Sequence, residues 1–193
     1  ETEALSLKES DYILSPRRIK VETLYHRLKV EFDARVADET VIEAIPKVID
    51  AHCRANSITK KKLAERLGVP YRTLLNFYRK ANKPTLSFAK RLADLTSQNF
   101  IIKMVKAERD SKIINLPERV DEEFAELLGY LMSDGMIKGK ISIHFFNEKE
   151  ELRNRVSCLL KKLFNLETKE YYARTVLAVA ATSTALARLL NSY

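Results

Sequence analysis

The sequence predicts an α+β protein, with a helical first part and a second part in which helices alternate with strand pairs. Between residues 39 and 98, apolar residues recur at helical spacing in short segments that glycine and proline interrupt. From residue 117 to residue 193, helical spacing is interrupted twice by stretches rich in β-branched and aromatic residues. The predicted order in this second part is α-β-β-α-β-β-α.

Residues 1–38 are predicted to form an N-terminal extended segment. Residues 30–36 alternate between apolar and charged side chains, as in a half-exposed strand, whereas residues 21–28 have helical spacing. We favour a strand for residues 19–36 as a whole.

Residues 39–98 are predicted to form a helical domain. An amphipathic helix covers residues 41–55, with Pro46 near its first turn, where a missing N–H is tolerated. Three further helices are predicted at residues 60–67, 71–80 and 86–95. Thr59 can cap the second helix and Gly68 breaks it, so the second and third helices have a helix-turn-helix pattern.

The positive charge of the chain is concentrated in this helical domain. The formal net charge is +8, and residues 56–92 hold ten Lys and Arg residues against one acidic residue. From residue 116 onward, eleven basic residues are balanced by eleven acidic ones. Such a one-sided basic segment fits a polyanionic partner better than a solvated helix face, and it argues against a purely structural or adaptor protein.

The helix-turn-helix pattern also carries a family resemblance. Its matching residues are Lys62-Leu63-Ala64-Glu65-Arg66-Leu67-Gly68-Val69, Thr73-Leu74 and Asn82-Lys83-Pro84-Thr85. They resemble the Cro and phage-repressor type, in which the N-terminal half of the second helix enters the major groove of DNA. The implied contacts are Tyr71, Arg72 and Asn76 on base edges and Arg79, Lys80 and Lys83 on phosphates, with Lys60 from the same basic segment as a further DNA-binding candidate. Two residues depart from the pattern, because Pro70 replaces a polar cap and Tyr71 is bulky for a first groove contact.

Residues 99–116 are predicted to form a linker, either a helix or an extended arm. The segment is mostly charged after an Ile101-Ile102 start. This composition is more typical of a solvated linker than of an arm that follows the DNA backbone.

Residues 127–135 are the most informative part of the sequence. They read Leu127-Leu128-Gly129-Tyr130-Leu131-Met132-Ser133-Asp134-Gly135, an apolar helical stretch that ends in one acidic residue and a glycine. Gly129 would let a partner helix approach closely, and Gly135 suits the left-handed residue that ends a helix. Asp134 would then lie at the buried tip of a helix pair, where a carboxylate can bind a divalent metal that activates water. The alternative interpretation is an ordinary core helix that ends in an Asp-Gly turn.

The elements that follow this stretch support the first interpretation. The sequence predicts a hairpin at residues 136–147, a helix at 148–164, strands at 169–182 and a last helix at 185–190, which Ser183 can cap. The nine-residue stretch matches the LAGLIDADG signature at its first, third, eighth and ninth positions. With this order of elements, residues 117–193 resemble one αββαββα unit of the LAGLIDADG homing endonucleases.

The resemblance implies sequence-specific, Mg²⁺-dependent cleavage of double-stranded DNA along the sheet. Asp134 would be the catalytic residue and the metal ligand, Gly129 would lie in an interface between motif helices, and Lys138 and Lys140 on the hairpin are candidate DNA contacts. The chain has one such motif, so a second acid is expected from a homodimer partner or from a repeat beyond Tyr193. The alternative function is a non-catalytic transcription regulator that joins a helix-turn-helix to a LAGLIDADG-type DNA-reading domain.

A shorter resemblance lies near the N-terminus. Its residues are Leu7-Lys8-Glu9-Ser10-Asp11-Tyr12-Ile13-Leu14-Ser15-Pro16-Arg17-Arg18-Ile19. They are similar to the stretch that ends the N-terminal half of a protein-splicing (intein) domain, before its endonuclease insertion. The resemblance implies that the chain is the interior of an intein, which would account for its start at Glu1. An acidic turn followed by the start of a strand is the alternative interpretation.

Other features of the sequence exclude several classes of protein. There is no apolar run near 18 residues and no signal-peptide pattern, so we expect no membrane partner. Cys53 and Cys158 lie far apart, and the three histidines have no companion at zinc-ligand spacing. We therefore expect a reducing, cytoplasmic setting with Mg²⁺ as the cofactor.

Overall fold

The computed structural model describes residues 34–108 and 112–191, and it confirms an α+β protein. Those ranges contain seven helices and two antiparallel sheets. The resemblance at residues 7–19 and most of the strand predicted at residues 19–36 lie outside the described residues. The described end of that strand prediction is confirmed, because Ala34–Val36 forms strand β1.

Four helices make up the described helical domain. They are α1 (Glu39–Ala55), α2 (Lys60–Arg66), α3 (Tyr71–Tyr78) and α4 (Leu86–Thr96). The side chains of Asp38, Thr59 and Thr85 accept hydrogen bonds from first-turn N–H groups of α1, α2 and α4. Pro46 lies well inside α1 rather than near its first turn, because Asp38 starts the helix earlier than predicted.

The packing of α2, α3 and α4 follows from small and aromatic side chains. Ala64 is buried where α2 meets its neighbours, and Gly68 at φ 63° turns the chain between α2 and α3. The rings of Phe77 and Phe88 lie 4.7 Å apart and join α3 to α4. The predicted order of helix, glycine turn and helix is therefore observed.

Two short strands follow the helical domain. They are β2 (Met104–Ala107) and β3 (Ile114–Asn115), and β2 pairs antiparallel with both β1 and β3. The helix alternative for residues 99–116 is therefore wrong. Val105 and Ile114 are fully buried, so the described part of this segment belongs to the core instead of crossing solvent.

The second part of the chain has the predicted order of elements. They are α5 (Glu122–Asp134), β4 (Gly135–Lys138), β5 (Ser142–Phe146), α6 (Glu150–Phe164), β6 (Lys169–Ala173), β7 (Val176–Thr182) and α7 (Thr184–Leu190). The strands form an antiparallel sheet in the order β4-β5-β7-β6. Ile143 and Phe145 face the helices, while the rings of Phe124 and Phe164 join α5 to α6 at 5.6 Å. Ser183 caps α7 as predicted, with a 3.3 Å hydrogen bond from the N–H of Leu186.

Gly135 ends α5 in a different conformation from the predicted left-handed one. Its φ is −98° and its ψ is 159°, which is extended backbone. Strand β4 begins at this residue and turns back across the last turn of α5. A Cβ atom here would lie 2.3 Å from the carbonyl oxygen of Leu131, so the close approach of two backbone segments requires glycine.

None of the helices in the described residues is both long enough and apolar enough to cross a membrane.

Candidate nucleic-acid interface

The basic side chains of the helix-turn-helix are largely exposed. Tyr71 is 44% exposed at the start of α3, and Arg72 beside it is also exposed. Other exposed cations on these helices are Lys61, Arg66, Arg79 and Lys90. The N-terminal half of α3 therefore presents an aromatic ring and a guanidinium group to solvent, as the predicted base contacts require. Pro70 precedes it without a side-chain cap.

Asn76 is less accessible than the other predicted base contacts. It is half-buried toward the end of α3, and its carbonyl oxygen accepts hydrogen bonds from the N–H groups of Ala81 at 2.9 Å and Asn82 at 3.3 Å. Its backbone fixes the loop after α3. Tyr71 and Arg72 are consequently the better placed pair.

Two of the predicted phosphate contacts form exposed ion pairs with α1. The Nζ of Lys80 lies 3.2 Å from a carboxylate oxygen of Glu43, and the Nζ of Lys83 lies 3.3 Å from one of Glu39. Exposed pairs of this kind contribute little free energy, so a DNA phosphate can replace the carboxylate.

Lys60 has a structural environment that the sequence did not reveal. Its Nζ lies 2.9 Å from Oδ1 of Asp50 and 3.4 Å from the centre of the Tyr78 ring. The Tyr78 hydroxyl donates to Oδ2 of Asp50 at 2.9 Å. The hydrogen bond from Lys60 is the main cause that lowers the pKa of the Asp50 carboxyl. Lys60 thus ties α2 to α1 and α3, and its ammonium group is not directed at a phosphate.

The face of the large sheet that points away from the helices is polar. Along β5, Ser142, His144 and Phe146 lie on this face, because the side chains alternate with the buried Ile143 and Phe145. Lys138 pairs in register with Ser142, and Lys140 is exposed in the turn between β4 and β5. Both predicted hairpin lysines therefore lie at one end of this outer sheet face.

His144 lies at the centre of a hydrogen-bonded row on the outer sheet face. Its Nε2 is 2.8 Å from the Ser142 hydroxyl, and its Nδ1 is 2.6 Å from the Tyr171 hydroxyl. Burial, followed by the positive charge of Lys138, lowers the pKa of His144 below its ordinary value of 6.5. The sequence analysis considered this residue only as a metal ligand. The alternation of residues 142–146 was the signal that could have placed it on this face.

His144 is expected to make the stability of the fold depend on pH. Since its pKa is lowered in the folded state, the unfolded chain binds the proton more readily, and folding loses free energy as the pH falls below about 6.5. Replacing His144 with Gln should therefore flatten the free energy of unfolding between about pH 7 and pH 5.5. Urea denaturation across this range measures the effect. His52→Gln in α1 is the matched control, and an unchanged pH slope in His144→Gln would contradict the assignment.

Asp134 is the last residue of α5, and it is exposed rather than buried in the described chain. Its Oδ2 accepts a hydrogen bond from Nδ2 of Asn147 at 3.0 Å. Among the described residues, no group of three or more His, Cys, Asp or Glu residues could hold a metal. A Mg²⁺ ion commonly uses one or two carboxylates together with water and substrate phosphate, so Asp134 fits the role of one ligand.

Asn147 and Arg153 were missed by the sequence analysis. Oδ1 of Asn147 accepts from the N–H of Lys149 at 3.0 Å, which turns its NH₂ group toward Asp134. The buried Arg153 donates from Nη1 to the carbonyl oxygens of Asn147 at 2.9 Å and Glu148 at 2.8 Å. Together they position the loop that contacts Asp134. The contacts join separate elements, so no local pattern announces them.

One side of α5 has no partner within the described chain. A Cβ atom added at Gly129 would meet nothing within 4 Å, and Met132 is 86% exposed. Beside it lies a groove of about 400 Å³, lined by Leu128, Leu131, Met136, Ile137 and other apolar residues. This uncovered apolar side includes the glycine that was predicted to lie in a helix interface.

No protein-family model matches the chain. Two curated relatives match parts of it, and each is the large subunit-type component named after the letter A in an A-type ATP synthase. The protein from Pyrococcus abyssi (strain GE5 / Orsay) is 37% identical over 84 residues, which is 44% of this chain and 8% of that protein. The protein from Pyrococcus horikoshii is 45% identical over 53 residues, which is 28% of this chain and 5% of that protein. The matches therefore span a small fraction of the relatives' length.

Proposed function

We propose that this chain is the DNA-recognition and motif-bearing part of a LAGLIDADG-type endonuclease that cuts double-stranded DNA at a specific sequence. The observation that carries the proposal is the end of α5. Its terminal carboxylate, Asp134, is exposed and oriented by Asn147, while the side of the same helix that contains Gly129 is uncovered. An acid at the tip of a helix that can pair is the arrangement that the motif requires.

In the proposed reaction, Asp134 holds a Mg²⁺ ion together with the phosphate of the scissile strand. A bound Mg²⁺ stabilises charge on the phosphate and makes its water more acidic. Asn147 keeps the Asp134 carboxylate directed out of the helix tip. A second acid on the paired motif would serve the other strand, so cleavage of both strands requires α5 to be covered by a partner helix.

DNA recognition by the helix-turn-helix is the first part of the proposal to test. Arg72→Ala should weaken binding by about 1–3 kcal/mol and relax the preference at one base position, because the side chain is exposed where a base contact is expected. Lys83→Ala should weaken binding to all sequences alike. Fluorescence anisotropy on duplexes selected from a random library measures both.

The salt dependence of the same titrations supplies the control. Affinity should fall steeply between about 50 and 200 mM salt, since bound phosphates release counterions. Lys60→Ala should act differently from Lys83→Ala, because Lys60 is paired with Asp50 and its loss is expected to lower stability more than intrinsic affinity. Affinity that is independent of salt would contradict DNA binding through the basic segment.

Helix pairing through α5 is tested at Gly129. Gly129→Leu should abolish pairing, whether the partner is a second copy or a second repeat, because a large side chain separates helices that meet at a glycine. The isolated unit should stay folded, since the position is open in the described chain. Sedimentation velocity measures the change. Ala51→Leu, an exposed alanine on α1, is the matched control, and identical sedimentation of wild type and Gly129→Leu as monomers would argue against an interface here.

The partial matches to an ATP synthase component are compatible with this proposal. The chain has no G-x-x-x-x-G-K-[ST] sequence, the loop that binds ATP phosphates in many ATPases. Homing endonucleases of this type reside within host proteins, and the N-terminal residues resemble a splicing domain. A shared segment that makes up 8% of a much longer protein is what an inserted module would give. We therefore propose the inserted endonuclease, not the ATP synthase activity, as the common element.

A further inference from the structure

The small sheet β1-β2-β3 lies between the helical domain and the second part of the chain, and it is bonded to both. On the helical side, the N–H of Val36 donates to the carbonyl oxygen of Pro84 at 2.9 Å, directly after the predicted phosphate contact Lys83. Nη1 of Arg35 donates to the carbonyl oxygen of Lys83 at 3.2 Å. Strand β1 therefore holds the loop that carries Lys83.

Strand β2 extends the same connection. The N–H of Ala37 donates to the carbonyl oxygen of Met104 at 2.9 Å, and the N–H of Lys103 donates to Oδ2 of Asp38 at 3.3 Å. Asp38 is the residue that caps α1. The chain that leaves the helical domain after α4 is thus hydrogen-bonded back to the start of that domain.

The other side of the small sheet packs on the second part of the chain. Helix α7 contacts β2, and helix α6 contacts β3. Val105 and Ile114 are fully buried and belong to one continuous apolar core that also contains Leu186 and Leu189 of α7. A flexible tether would leave such residues exposed and would let the two parts rotate independently.

We propose that this small sheet fixes the distance and rotation between the helix-turn-helix and the outer sheet face, so that the chain takes a bipartite DNA duplex whose two subsites have one fixed spacing. The inference rests on the proposed function. DNA rotates through a full turn in about 10–10.5 base pairs, so inserting about five base pairs moves one subsite to the opposite side of the duplex. A rigid connection cannot follow that rotation.

Targets selected from a random library with the full chain, and footprinted to locate the two subsites, provide the test. Inserting two, five or ten base pairs between the subsites should lower affinity at least about tenfold, to the level of a target with one subsite scrambled. Full affinity after any of these insertions would overturn the fixed spacing. Selection of no DNA at all would overturn the proposed function itself, which keeps the two failures distinguishable.

A variant of the connecting sheet provides a second measurement. Arg35→Ala removes the contact with Lys83 and the ion pair with Glu108, so it should widen the range of tolerated spacings while each isolated subsite is bound as before. Arg91→Ala is the matched control, because Arg91 donates to the carbonyl oxygen of Leu67 within the helical domain. Equal spacing tolerance in wild type and Arg35→Ala, combined with tolerance of the two-base-pair insertion, would overturn the proposal.

Discussion

Replacing Asp134 with asparagine is expected to abolish Mg²⁺-dependent DNA cleavage while leaving DNA binding intact. The carboxylate is the metal ligand in the proposed site, and an amide is a much weaker ligand for a divalent cation. Metal assistance is worth several kcal/mol, and about 1.36 kcal/mol corresponds to tenfold in rate, so the rate should fall at least about a thousandfold. Affinity should stay equal or rise slightly, because a negative charge that faces phosphate is removed.

The measurement uses DNA targets selected by binding, incubated with Mg²⁺ and with protein whose second motif is supplied by its partner or repeat. Cleavage is followed on gels and binding by anisotropy on the same targets. Asp94→Asn is the matched control, because it removes one exposed carboxylate in α4, away from the end of α5. If wild-type protein binds its targets tightly and leaves them intact, the transcription regulator becomes the better proposal.

An Asn147 variant separates the positioning of Asp134 from metal binding. Since Asn147 contacts Asp134 only through Nδ2, Asn147→Ala should retain the carboxylate and lose its orientation. Cleavage by this variant should be reduced less than by Asp134→Asn. The two substitutions together therefore tell whether the carboxylate itself or its direction limits the rate.

Local signals in the sequence predicted much of the fold. Thr59 and Ser183 cap helices where the sequence placed them, since a cap depends on residues only three positions apart. The order of elements in the second part was likewise readable, because residues 142–146 alternate at the spacing of a strand. The conformation of Gly135 was not, since it depends on the direction in which β4 leaves α5.

Contacts between distant segments could not be predicted from one sequence. Strands β1 and β2 pair across about seventy residues, in register Val36 with Val105, and neither strand is long enough to show a clear period. Lys60 looked like part of a basic surface until the fold brought Asp50 and Tyr78 beside it. The predicted site was therefore right about which helices present basic residues and incomplete about which of these residues are available.

Gly135→Ala is expected to destabilise the second part of the chain strongly, whereas Gly129→Ala is expected to stabilise it. A methyl group at Gly135 would lie 2.3 Å from the carbonyl oxygen and 2.6 Å from the Cα of Leu131, and backbone atoms cannot move aside as a flexible side chain can. We expect a loss on the order of 3 kcal/mol in the free energy of unfolding, because the junction of α5 and β4 must open.

At Gly129 the added methyl group meets nothing within 4 Å, and alanine is a better helix former than glycine, so the gain should be roughly 0.5–1 kcal/mol. Denaturant unfolding of the two variants, at a concentration where the chain is monomeric, measures both changes against wild type. Equal stability of Gly135→Ala and wild type would mean that β4 does not cross the last turn of α5. In that case Asp134 would no longer be held between α5 and the loop of Asn147, and the geometry proposed for the metal ligand would be wrong.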